Sequence, residues 1–143
     1  MASSQPKPEN SGNFRFEFDP VNKILLMRYE GRLTEKAAAE FYWAIRRYST
    51  ETDARAGIWD LSPVTEFAVS PEFMRYMVGQ EPVMPEATLR PRFLVAPATF
   101  GLGISRMIEI VQGPKNPLFK VVLTLDEALA ALGVRSPHFE HLE

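Results

Sequence analysis

The sequence contains no cysteine, which excludes disulfides, thiolate metal sites and cysteine nucleophiles. Its only two histidines, His138 and His141, stand near the C-terminus, and we expect no metal site there. The net charge is −2 without a long run of one sign, so nothing favours a nucleic-acid-binding surface. No segment provides the ~20 consecutive apolar residues of a membrane helix. We therefore expect a cytoplasmic protein that does not insert into membranes.

One domain accounts for most of the chain. Its 143 residues suit a single domain with its own hydrophobic core. Residues 1–13 are rich in Ser, Pro and Asn and lack the apolar stretch of a signal peptide, so we expect a disordered tail there. We expect the folded domain over residues 14–134 and a C-terminal tail over residues 135–143.

The order of apolar patterns predicts an α/β fold. Phe14, Phe16 and Phe18 alternate with polar residues, and a turn over residues 19–22 separates them from an apolar run, which predicts a β-hairpin. Because strands that alternate with helices pair in parallel, we expect a single domain with a five-stranded, mostly parallel sheet, an N-terminal hairpin and four helices. The later strands are expected over residues 56–61, 92–96 and 119–123, and the helices begin near Thr34, Ser70, Phe100 and Thr124.

The strand over residues 56–61 is followed by polar residues, at the edge where α/β sheets hold their functional groups. Asp60 and Ser62 stand there in the phrase DLSPVTEF and are candidate binding residues. Asp60 is either a general base or an organiser of the loop that bonds to backbone N–H groups. No catalytic triad, metal-ligand set or nucleophile elbow appears in the sequence, so we expect neither enzymatic activity nor a cofactor.

Ser70 is the third candidate of this region. Ser-Pro-Glu-Phe is a strong helix start, since Ser is a preferred N-cap, Pro is tolerated at the first helical position and Glu suits the helix dipole. Ser70 is then a cap that accepts a backbone N–H bond. The alternative is a phosphoacceptor, because a helix N-terminus also favours a phosphate.

Two glycines at the start of the helix expected from Phe100 allow a further interpretation. The backbone N–H groups of Gly101 and Gly103, helped by Arg106, are candidates for binding an anion. The longer glycine pattern of a phosphate loop and a following Lys are missing. The alternative is that these small residues let the helix pack closely on the sheet.

Four segments carry a resemblance to a known family. The order of the elements and the phrase DLSPVTEF resemble the STAS domain of anti-sigma factor antagonists and sulfate transporters. More closely, the chain looks like small stand-alone STAS-like proteins related to CRAL-TRIO lipid carriers. In that group four segments recur in this order within residues 14–134, and they resemble ILLMRYEGRLT, DLSPVTEF, FGLGISRM and TLDEALAAL. The resemblance implies a STAS-like fold and a regulatory module that binds a protein partner.

The antagonist pattern D-x-S-x-V-x-x-x-D-S-S-G places a phosphoserine in this loop. Aligned on Asp60, it sets Ala68 at the second Asp, Val69 at the phosphoserine and Ser70 at the following Ser. A shift by one residue moves Ser70 onto the acceptor position but leaves no Asp beside it. The resemblance thus implies a module without a working phosphoserine switch.

The carrier relationship implies an alternative function, the binding of a small apolar or lipid-like ligand. Such a ligand needs a cavity, for which Phe41, Met77, Met107 and Ile108 are the candidate lining residues.

A homodimer is also expected. The hairpin has three phenylalanines and the Pro-rich segment adds Val83 and Met84, which together suggest a larger apolar surface than a small monomer tolerates.

Overall fold

The computed structural model describes residues 13–78, 90–96 and 118–142, and these form one sheet with helices on both faces. No helix among the described residues is long and apolar enough to cross a membrane. The elements in chain order are β1 (Asn13–Asp19), β2 (Ile24–Thr34), α1 (Glu35–Glu51), β3 (Ala56–Asp60), β4 (Val64–Ala68), α2 (Pro71–Val78), β5 (Arg92–Val95), β6 (Phe119–Val122), α3 (Leu125–Ala131) and β7 (Glu140–Leu142).

The sheet has the order β6-β5-β3-β2-β1-β7, and β4 pairs with β2 outside this path. The pairs β2–β3, β2–β4, β3–β5 and β5–β6 are parallel, whereas β1 pairs antiparallel with β2 and β7. The predicted mixed α/β fold, the hairpin and the mostly parallel sheet are confirmed. The predicted count of five strands is wrong, because the described residues form seven. Three of the four predicted helices are present, and the helix expected from Phe100 lies outside the described residues.

β4 and β7 are the strands that the sequence does not predict. In β4, Val64 is buried while Thr65 and Glu66 are exposed, and in β7 both Glu140 and His141 are exposed. Neither strand has the apolar alternation that predicts a half-buried strand, and backbone pairing with β2 and β1 holds them instead. Residues 140–142 of the expected C-terminal tail therefore join the sheet. The expected tail over residues 1–13 lies outside the described residues except for Asn13, where β1 begins.

Both faces of β2 are buried, which explains its unbroken apolar run. Successive side chains of a strand point to opposite faces. The hydrophobic cluster between the sheet and α1 contains Leu25, Met27 and Tyr29. The cluster on the opposite face, which includes residues of α3, contains Ile24 and Leu26.

The phenylalanines of β1 pack on α1. Phe16 is buried, Phe18 is half-buried against the same cluster, and the partly exposed ring of Phe14 stacks on Phe41 at 5.7 Å between ring centroids. The homodimer was expected because these phenylalanines would form an exposed apolar surface, but much of that surface is buried in the core of this protein. Val83 and Met84 lie outside the described residues, and the homodimer remains a prediction.

Asp19, fully buried at the end of β1, joins the hairpin turn to the C-terminal segment. Its Oδ1 accepts the backbone N–H groups of Val21 at 2.9 Å and Asn22 at 3.0 Å. Its Oδ2 accepts the Asn22 side chain at 2.8 Å and the backbone N–H of His138 at 3.0 Å. Burial by itself raises the pKa of this carboxyl group, but the bonds from Asn22, His138 and Val21 outweigh burial and lower the pKa to about 2.

This carboxylate predicts an acid-sensitive contribution to stability. Since the folded-state pKa is lowered from 3.8 to about 2, the contribution is complete above the unfolded-state pKa and is lost as the pH falls from 3.8 toward 2. A shift of this size corresponds to about 2 kcal/mol. Between about pH 5 and about pH 2.5, the free energy of unfolding measured in urea should therefore fall by at least ~1 kcal/mol more for the wild type than for Asp19→Asn.

The Asn variant should begin from a lower stability, because its amide turns donors toward the donors of Asn22 and His138. We also expect faster hydrogen exchange in β7, which the bond to His138 helps to hold. Equal acid dependence in both proteins would contradict this role of Asp19.

Candidate functional site

Asp60 ends β3 and fixes the turn that follows. Its Oδ1 accepts the backbone N–H of Ser62 at 3.0 Å and the hydroxyl of the same residue at 2.5 Å. The N–H of Leu61 donates to the carbonyl of Val95 at 3.0 Å, and the N–H of Val64 donates back to Leu61 at 3.0 Å. Asp60 therefore organises a loop, which we name the Asp60 turn, residues 60–63.

Arg28 is the partner of Asp60 that the sequence does not reveal. The two residues are register partners in the parallel pair β2–β3, and the guanidinium Nε lies 3.0 Å from Oδ2 of Asp60. The Asp60 side chain is only 1% exposed, whereas that of Arg28 is 33% exposed. A buried carboxylate needs a cation or several donors near it, and here Arg28 and Ser62 provide both. A charged residue that interrupts an apolar strand is the one signal by which Arg28 can be found.

The chain resumes pairing directly after the turn. β3 and β4 lie end to end along β2, and the N–H of Gly31 donates to the carbonyl of Pro63 at 3.1 Å where one pairing gives way to the next. Gly31 has a φ of 92°, a left-handed conformation that favours glycine, and the register shifts between it and Arg32.

β4 brings the N-termini of two helices together. Thr34, the N-cap of α1, is the register partner of Ala68, the last residue of β4. Two residues later, Ser70 directly precedes α2. α1 and α2 therefore start side by side at the carboxyl ends of β2 and β4, the edge at which functional residues were expected.

Ser70 caps α2. Its hydroxyl oxygen accepts the backbone N–H of Phe73 at 3.1 Å, and its own backbone N–H donates to Oε2 of Glu35 at 3.1 Å. Glu35 lies in the first turn of α1, so its carboxylate serves two helix N-termini. The sequence places Glu35 in the first turn of α1 but gives no sign of its contact with Ser70.

The candidate residues form two groups. Asp60 and Ser62 are hydrogen-bonded to each other, while β4, which spans roughly 16 Å, separates them from Ser70. The anion-binding candidates Gly101, Gly103 and Arg106 lie outside the described residues and remain predictions. Within the part of the chain that the structure describes, no three His, Asp or Glu side chains are grouped to hold a metal ion.

Comparisons with known proteins agree with this architecture. No protein-family profile and no curated protein sequence matches the chain. Among solved structures, an anti-sigma factor antagonist from Mycobacterium paratuberculosis is similar, with a TM-score of 0.56 and 19% identity, over 90% of this chain and 99% of that chain.

The anti-sigma factor antagonist SpoIIAA in its unphosphorylated form is also similar, with a TM-score of 0.56 and 18% identity, over 87% of this chain and 100% of that chain. The expected STAS-like fold is confirmed.

The contact between Arg28 and Asp60 generates the first prediction for this site. Arg28→Ala leaves a buried carboxylate with Ser62 alone, and we expect the free energy of unfolding to fall by about 2–3 kcal/mol. Arg47→Ala is the control, because it removes only an exposed pair with Glu51 at 3.2 Å and a contact with the Tyr48 ring, and it should cost less than about 1 kcal/mol. Urea unfolding measures both, and similar losses would contradict the structural role of Arg28.

The Ser70 cap generates the second prediction for this site. Ser70→Ala should lower the free energy of unfolding by about 0.5–2 kcal/mol, whereas Ser70→Asn, also a good cap, should remain near the wild type. Ser70→Asp caps as well but sets a second carboxylate beside Glu35. We expect it to be less stable than the Asn variant at low salt by a few tenths of a kcal/mol.

The comparison between Asp and Asn isolates the charge. Glu35→Gln should remove the difference between the two variants, and so should high salt, which screens exposed charges. A difference that persists in the Gln background would show that Glu35 is not its cause.

Proposed function

We propose that this chain is a non-enzymatic regulatory module that binds a protein partner and works without a phosphoserine switch. The likeness in fold to two anti-sigma factor antagonists supports the regulatory role. The observation that carries the second half of the proposal is the hydrogen bond between the carboxylate of Glu35 and the backbone N–H of Ser70.

That hydrogen bond supports the absence of a switch on electrostatic grounds. A helix N-terminus favours one negative group near its free N–H groups, and at α2 the carboxylate of Glu35 already provides it. A phosphate on Ser70 would add roughly two negative charges beside this carboxylate. Val69, which the antagonist pattern sets at the acceptor position, has no hydroxyl group to modify.

The surroundings of Asp60 support a non-enzymatic role. A general base must reach the proton that it takes from a substrate. Asp60 is buried, and its two oxygens are engaged by Arg28 and Ser62. Its contacts are those of a residue that shapes the turn.

The exposed side of α2 is the partner surface that we favour. Tyr76 is 61% exposed and its neighbours Glu72 and Arg75 are also exposed, while Phe73 packs against its ring at 6.2 Å between centroids. Exposed tyrosines flanked by charged residues often contribute strongly to protein interfaces. This helix also begins beside the N-terminus of α1, so a partner bound here would contact both helices.

The surface is tested with two matched aromatic variants. Tyr76→Ser should release a specific partner captured from a lysate of the native host and identified by quantitative mass spectrometry. Trp43→Ser removes an aromatic residue of similar exposure (63%) from α1 and should leave that partner bound. Loss of the partner from both variants, or no specific partner under any condition, would contradict the proposal.

The absence of a switch is tested with the same partner. Ser70→Asp and Ser70→Asn should bind it with similar affinity, because the proposed module does not use a negative charge at residue 70 as a signal. A difference in affinity above tenfold, about 1.4 kcal/mol and therefore larger than the expected difference in stability, would show that the partner responds to a charge at Ser70.

A carrier of a small apolar ligand is the alternative function. At Phe41 the described residues leave little room for such a ligand, because its ring packs on Phe16 and Tyr29 at 5.7 and 5.8 Å between centroids. Met107 and Ile108 lie outside the described residues. Native mass spectrometry after gentle purification tests this alternative, which requires additional bound mass.

A further inference from the structure

A cleft of about 410 Å³ lies over β1 and β2, beside the Asp60 turn. It lies on the sheet face that α3 partly covers, and among the described residues α3 packs over β3, β5 and β6 rather than over β1. Its volume lies in the range of small-molecule sites. The polar lining residues are Asn13, Arg15, Arg28, Glu30 and His141, and Pro63 lines it from the turn.

Two arginines stand next to each other in this cleft. Arg15 and Arg28 are directly opposite in the antiparallel pair β1–β2, so their side chains leave the same face of the sheet. Like charges in this arrangement destabilise a sheet. Each guanidinium is paired with one carboxylate on the same face, since Nε of Arg15 lies 3.2 Å from Glu17 and Nε of Arg28 lies 3.0 Å from Asp60.

Those contacts leave most of the donors of both arginines open. A guanidinium has five N–H donors in a planar fork, and the carboxylates lie closest to the single Nε of each. Among the described residues, neither arginine has a second carboxylate partner. Anchored guanidinium groups with open Nη donors suit the two-point binding of a carboxylate or phosphate group.

The other lining residues define what the rest of the ligand would meet. Glu30 is the one carboxylate among the lining residues of this cleft, while Glu17 and Asp60 already pair with the two arginines, so an anionic group of a ligand would have to bind through the open Nη donors. His141 adds polar atoms for the remainder of the molecule.

We propose that this cleft binds a small molecule through a carboxylate or phosphate group held by Arg15 and Arg28. The site is distinct from the α2 surface that we propose for the protein partner. Because Arg28 also holds Asp60, a ligand bound to it acts on the residue that fixes the turn. Occupancy of the cleft is then sensed at Ser62 and, through the turn, at the start of β4.

The experiment is an NMR titration of the full chain at low, constant ionic strength with inorganic phosphate and, separately, with succinate. We expect saturable shifts of the amide signals of Arg15, Arg28 and Ser62 with at least one probe. The probe that binds more tightly distinguishes a phosphate from a carboxylate ligand.

Arg15→Gln should weaken that binding at least tenfold, while its exposed position should leave the fold intact. Arg15→Lys keeps the charge but loses the fork, so an intermediate affinity is expected. Arg47→Gln, which makes the same change of charge on α1, should bind as the wild type does. Shifts that fail to saturate with either probe, or equal weakening in Arg15→Gln and Arg47→Gln, would overturn the proposal.

Discussion

The contact between Arg28 and Asp60 is the interaction on which the candidate functional edge depends. A buried carboxylate is tolerated only with a cation or several donors beside it. Oδ2 of Asp60 lies against the cation of Arg28, and Oδ1 accepts two hydrogen bonds from Ser62. One oxygen holds Asp60 to β2, and the other closes the turn on Ser62. With the turn closed, β4 can resume pairing with β2 at Gly31, so the position of β4 follows from this contact.

The position of β4 in turn determines how α1 and α2 meet. Parallel pairing sets Ala68 beside Thr34, so the two helices begin next to each other. Two helix N-termini in close proximity repel, because both carry partial positive charge. The carboxylate of Glu35 offsets this repulsion, since it lies in the first turn of α1 and accepts the N–H of Ser70. The carboxylate that stabilises the junction therefore also lies next to Ser70, within 3.1 Å of its backbone nitrogen.

Local signals in the sequence predicted the local features of the fold. Alternating phenylalanines predicted the hairpin, and Ser70 before Pro71 predicted a capped helix, because one segment contains all the residues that each feature needs. The contacts of Arg28 and Glu35 depend on strand register, which joins residues 32 and 35 positions apart. β7 was missed for a similar reason, as its three residues have no apolar pattern and are held by β1 and by the bond from His138 to Asp19.

Arg28 connects the two parts of the molecule that carry the proposals. Its Nε lies 3.0 Å from Asp60, and Arg28 also lines the cleft together with Arg15. An anion bound in the cleft would compete with Asp60 for Arg28. The strength of the contact between Arg28 and Asp60 would then depend on whether the guanidinium can bind both groups at once. The Asp60 turn leads into β4 and β4 leads to α2, so coupling between the proposed cleft and the proposed partner surface would run through this segment. A ligand in the cleft and a protein on α2 would then influence each other's affinity equally, as linkage between two sites requires.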